Sequence, residues 1–179
     1  MNEWIIIVQT IGLVAMALGI GSFQLKQRSN ILIVQFFSNF LWAAHFLLLG
    51  ATTGAALNIC ATVRSYVFYK YGAKKSRSIW ILLGSIIALV ASAMLSWRGW
   101  ASLIPMTAII IATIGYWQHD EQTIRRVILI SSPLWLVYGV ISGSYAGIAN
   151  ESIVIASVLI ALWRYRKHPT RTARIRDIA

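Results

Sequence analysis

The sequence predicts an all-α integral membrane protein of seven transmembrane helices, arranged as two parallel triple-helix bundles joined by one linker helix, with the N-terminus outside and the C-terminus inside. Three observations predict it: an apolar composition, basic residues confined to alternate connections, and a phrase written twice. Of 179 residues, 58% are hydrophobic and 12% charged, and the mean hydropathy is +0.70. That lies far above a soluble domain. A transmembrane helix needs about 20 apolar residues to cross about 30 Å of hydrocarbon. Seven such windows follow one another at 4–23, 31–49, 54–71, 79–96, 101–118, 125–143 and 146–163. They are apolar on every face, whereas a barrel would show alternating strands of about ten residues.

The first window is preceded by "MNEW", which has no basic residue and contains Glu3, so "AMA" at 15–17 is read as part of an uncleaved helix, not a signal cleavage site. The formal net charge of +11 would suggest nucleic acid in a soluble protein, but its placement excludes that partner. Lys26 and Arg28 follow the first window, and Lys70, Lys74, Lys75 and Arg77 follow the third. Arg125 and Arg126 follow the fifth, and Arg164, Arg166, Lys167, Arg171, Arg174 and Arg176 follow the seventh. With seven alternating spans, all of these fall on one side, which the positive-inside rule makes cytoplasmic. The other side carries Arg98 and the loops "GATTG" and "SGSYAG".

The repeated phrase is "LWAAHFLLLG" at 41–50 and "LWLVYGVISG" at 134–143. Its offset of 93 also maps Ser38 to Ser131, Trp42 to Trp135, Gly50 to Gly143 and Gly54 to Gly147. Windows one, two and three map onto five, six and seven, and the fourth has no counterpart. A three-helix unit has its ends on opposite faces, so two parallel copies need an odd linker. The predicted organisation is a first bundle at 1–72, a linker helix at 73–99, a second bundle at 100–167 and a basic cytoplasmic tail at 168–179 that lies against anionic lipid.

The segments "SFQLKQRSNILIVQFFSNFLWAAHFLLLG" and "SPLWLVYGV" resemble the PQ-loop and SWEET superfamily. More closely, "HFLLLG", "LIPMTAIIIATIGYW" and "LWRYRK" resemble, in order and over nearly the whole chain, the bacterial inner-membrane YgjV family. The resemblance implies a multi-pass protein of the bacterial inner membrane, with a substrate cavity between two triple-helix bundles. It also implies that Trp42 and Trp135 stack on a sugar while Asn58 and Asn150 bond its hydroxyls. Two departures stand against direct inheritance. Asn58 and Asn150 match only if the offset slips by one. Prolines, which hinge the helices of SWEET proteins, fall in the spans only at Pro105 and Pro133.

Depth counted at about 1.5 Å per residue places His45, Tyr138 and Glu151 level with the two asparagines, and the tryptophans about a turn deeper. Interfacial tryptophan belts offer a plainer explanation of the same residues. Arg64 sits near the middle of the third span, where a guanidinium costs roughly 2.5–3.5 kcal/mol unless paired or hydrated. Asn39, Ser131, Ser132 and Ser157 share its level, and no carboxylate does, Glu151 being about a turn too shallow. A small anionic ligand would supply the missing charge; the competing explanation is an arginine that snorkels or caps carbonyls.

The expected substrate-binding residues are therefore Trp42, Trp135, Asn58, Asn150, Arg64, Asn39, His45 and Tyr138. No enzyme chemistry, cofactor or metal is expected: five acidic residues are scattered, three histidines lie on different segments, and Cys60 is the single cysteine. The predicted function is a transporter or facilitator for a small polar or anionic solute, as a monomer or homo-oligomer in the lipid bilayer. The alternative is a non-transporting sensor or partner-binding scaffold.

Overall fold

The computed structural model describes residues 3–71 and 78–165. The tail at 168–179 and the Lys74, Lys75 and Arg77 cluster lie outside the described residues. The described chain is all-helical: α1 Glu3–Ser22, α2 Arg28–Leu48, α3 Thr52–Tyr71, α4 Ile79–Leu95, α5 Leu103–Trp117, α6 Glu121–Ile141 and α7 Tyr145–Tyr165, with a 3-10 turn at Trp100–Ser102 leading into α5. These bounds agree with the seven apolar windows to within about four residues, as expected where hydropathy sets helix length.

Five of the helical stretches are long and apolar enough to cross a membrane: α1, α2, the turn with α5, α6 and α7. The other two fall short for different reasons. At 17 residues, α4 is slightly short. At 20 residues, α3 is long enough, but it carries Thr52, Thr53, Asn58, Thr62, Arg64, Ser65 and Lys70. Most of these are buried against other helices, so α3 turns a polar face inward while Ile59, Val63 and Tyr66 face outward.

Polar groups are turned inward and apolar ones outward. Ser38, Asn39, Asn58, Arg64, Ser131 and Ser132 are buried, while Phe40, Trp80, Leu95, Trp100 and Trp163 are exposed. Such a surface is stable against acyl chains, where helices associate through close packing and internal hydrogen bonds.

Six helices close a ring: α1 packs on α2, α2 on α3, α3 on α5, α5 on α6, α6 on α7, and α7 back on α1. α4 packs on α3 and α5 and stays largely exposed, with Leu89 and Ala93 buried. The α1–α7 seam depends on Gly12, where an added Cβ would lie 2.9 Å from both Ala146 Cβ and the His45 ring. That ring is held at both ends. Nδ1 lies 2.9 Å from the Val8 carbonyl, so it donates, and Nε2 accepts from Ser144 Oγ at 3.1 Å. Because His45 cannot yield, Gly12→Ala is expected to destabilise the protein by about 1–3 kcal/mol. Chemical unfolding in mixed micelles measures this; an unchanged midpoint would mean the seam is loose.

Positions 93 residues apart end α2 and α6 with the same hydrogen bonds. Gly50 (φ 73°) and Gly143 (φ 66°) adopt the left-handed conformation that favours glycine. Gly50 N–H donates to Leu47 O and Ala51 N–H to Phe46 O, while Gly143 N–H donates to Val140 O and Ser144 N–H to Gly139 O. Each is a Schellman stop. The shared glycine of the repeated phrase is thus a shared way of turning the chain.

Candidate functional site: a polar cavity inside the helix ring

The ring surrounds a partly open cavity of about 100 Å³, room for several waters or a small solute on the scale where about 10–15 Å³ seats one water. All six ring helices contribute to it and α4 contributes nothing. Fourteen lining residues form seven pairs 93 residues apart: Gly19 with Ala112, Phe23 with Tyr116, Gln35 with Ile128, Ser38 with Ser131, Asn39 with Ser132, Trp42 with Trp135, and Asn58 with Glu151. The counterpart of Asn58 is therefore Glu151, which removes the one-residue slip needed to match Asn58 with Asn150.

Two packed apolar clusters bound the cavity. Phe23, Tyr116, Ile128 and Val154 belong both to its wall and to a core that includes Ile31, Leu32, Phe68, Trp117 and Ile124. This is the end where α1 and α5 finish and α2 and α6 begin. Trp42, Phe46 and Trp135 form the opposite boundary with Tyr138. Phe46 stands between the two tryptophans, its ring centroid 5.7 Å from Trp42 and 6.2 Å from Trp135. An empty slot between the indoles, as sugar stacking would require, is thus filled by the chain's own phenyl ring. Tyr138 backs this plug 6.0 Å from Phe46 and lines a second pocket of about 240 Å³ beyond it, with Thr53, Arg98 and Ser102.

Of the eight residues expected at the site, Trp42, Trp135, Asn58, Asn150, Arg64 and Asn39 line the cavity, whereas His45 and Tyr138 do not. His45 is spent on the α1–α7 seam. Tyr138 accepts a hydrogen bond from Gly54 N–H at 3.2 Å. Most of the polar wall is already satisfied. Asn39 donates to Ser65 Oγ at 3.2 Å, Gln35 to Ser22 Oγ at 2.8 Å, Ser38 to Ala15 O at 2.9 Å, and Asn58 to Gly54 O at 2.8 Å.

Arg64 is not. It is 3% exposed, donates from Nη1 to Thr113 Oγ1 at 2.7 Å, and lies with Cζ 5.0 Å from the centroid of the Tyr116 ring. Its Nε has no hydrogen-bond partner. Neither contact is a carboxylate or a backbone carbonyl. On α7, Asn150 donates from Nδ2 to Glu151 Oε1 at 2.8 Å, and its Oδ1 is buried without a donor. Unsatisfied buried polar atoms are uncommon and each asks for a reason. Here both occur in one cavity. Glu151 was placed too shallow by sequence counting, yet it shares this cavity with Arg64.

Arg28 and Arg125, expected as loop charges, are helix residues buried at the basic end. From α6, Arg125 donates through Nε to Phe23 O at 3.2 Å and through Nη2 to Leu25 O at 3.1 Å, gripping the end of α1. From α2, Arg28 donates through Nη2 to Tyr116 O and through Nε to Gln118 O, both at 2.9 Å, gripping the end of α5. The two carbonyl pairs are 93 residues apart. The arginines themselves are offset by one further helical turn, so sequence comparison alone does not pair them. Both satisfy carbonyls at or just beyond a helix C-terminus, where positive charge is favoured.

Comparison with known proteins bears on this arrangement at one point. The family model Imp-YgjV, described as a bacterial inner membrane protein, matches residues 6–169. No curated protein and no solved structure matches the chain. With the match covering nearly its full length and several helices able to cross a bilayer, the chain belongs to the Imp-YgjV family and is a multi-pass protein of the bacterial inner membrane.

Proposed function

We propose that this protein is a transporter or facilitator for a small polar or charged solute, built as two parallel three-helix repeats around α4 in the manner of the SWEET and PQ-loop superfamily. The observation that carries the reading is the cavity. Its lining comes from both halves at equivalent positions, and it lies between two packed boundaries, an aromatic plug at one end and an arginine-clamped core at the other. A polar chamber between two boundaries is what alternating access requires. The helix contacts support the repeat, because exchanging α1, α2 and α3 with α5, α6 and α7 leaves the ring unchanged. The positive-inside rule supports a cytoplasmic position for the arginine-clamped end.

Proline hinges are not needed. Pro105 sits in the first turn of α5 and α6 holds Pro133, whereas α1 and α2 have none.

Proteoliposomes test the reading. A panel of labelled sugars, amino acids and small carboxylates is expected to include one with saturable uptake that falls at least tenfold in Arg64→Gln. No uptake of any member, together with a membrane protein that co-purifies at constant ratio, would replace transport by a scaffold.

A further inference from the structure

Resting on the solute-binding reading above, the unsatisfied atoms define what the ligand must bring. In the order of the ring, α3 and α7 stand opposite each other. The α3 wall offers a buried donor without an acceptor, Arg64 Nε. The α7 wall offers an acceptor without a donor, Asn150 Oδ1, beside the carboxylate that Asn150 Nδ2 holds at 2.8 Å. Both asparagine and arginine are more than nine-tenths buried. Both residues line the cavity.

We propose that the ligand is a small zwitterion of the amino-acid type, its carboxylate accepting from Arg64 and its ammonium donating to Asn150 Oδ1 and the Glu151 carboxylate. Charge balance favours this over the simple anion that Arg64 alone suggests. In a low-dielectric cavity an anion would meet Glu151 as a like charge, and a cation would meet Arg64. A zwitterion brings one charge for each wall. The cavity of about 100 Å³ restricts the side chain to hydrogen or a small group, while the Trp42, Phe46 and Trp135 boundary offers it an apolar surface.

Isothermal titration of the full chain in lipid nanodiscs at pH 7 separates the ligand classes, with glycine, L-alanine, acetate, methylammonium and glycerol as probes. Glycine or L-alanine is expected to bind at least tenfold more tightly than each of the other three. Arg64→Gln and Glu151→Gln, checked for folding by thermal melts, are each expected to weaken that binding at least tenfold. Acetate binding as tightly as glycine would overturn the zwitterion and leave an anion site at Arg64. Glycerol binding as tightly would overturn it in favour of a neutral polar solute. Binding of none of the five would overturn both the zwitterion and the cavity as a solute site. These comparisons use the unaltered chain and stand even if a variant fails to fold.

Discussion

Arg125→Leu is expected to lower the stability of the folded protein by about 3 kcal/mol, and Arg28→Leu by a similar amount. Hydrogen bonds from a charged donor contribute about 1.5–3 kcal/mol each, and a buried carbonyl left alone is penalised further. Arg125 satisfies two carbonyls at the end of α1, and Arg28 two at the end of α5. Arg28 reaches further, to Phe68 O on α3 at 3.4 Å. Each side chain joins one half of the ring to the other, so its loss removes a tie that no neighbouring residue replaces. Reversible unfolding in mixed micelles gives the number. A change within about 0.5 kcal/mol, the ordinary range for a surface substitution, would mean that these arginines are solvated charges after all.

Arg64→Leu is expected to do the opposite. Replacing a buried, incompletely compensated charge by a well-packed apolar side chain is often stabilising by 1–4 kcal/mol, and the guanidinium is also costly at mid-membrane depth. About 1–3 kcal/mol of added stability is expected in the absence of ligand. Thr113 loses little, because its hydroxyl keeps the bond it donates to Ile109 O at 2.7 Å. The same substitution is expected to abolish solute binding, a trade between stability and function that marks residues kept for a ligand. Should Arg64→Leu instead destabilise by more than about 1 kcal/mol, Arg64 would be a structural residue held by Thr113 and Tyr116. Buried arginines with opposite expected signs make the contrast informative. Arg28 and Arg125 spend donors on carbonyls, whereas Arg64 Nε has no acceptor.

The membrane class and the helix bounds were legible in the sequence because each depends on local composition or counting. The cavity wall was legible in part. Trp42, Trp135, Asn39, Asn58, Asn150 and Arg64 could be selected by depth, but depth says nothing of direction around the helix. His45 and Tyr138 have the right level, but His45 is held in the α1–α7 seam and Tyr138 backs the plug. Phe46 was missed although it lies one turn beyond Trp42, on the same face and within reach of Trp135. Glu151 was set aside because counting along the chain places the Cα and not the end of the side chain. The internal role of Arg28 and Arg125 was hidden by their position beside loops, where a basic residue ordinarily reports topology. Their hydrogen bonds to carbonyls about a hundred residues away have no local signature.

Whether the cavity communicates with both faces of the membrane can be measured without knowing the solute. In a Cys60→Ser background, Ser131→Cys places a single thiol on the cavity wall. A membrane-impermeant maleimide is then applied to right-side-out and to inverted vesicles. Labelling from both sides, slowed by a bound solute, is expected of a chamber that opens alternately past the aromatic plug and past the arginine-clamped core. Labelling from one side only, or from neither, would contradict transport through this cavity.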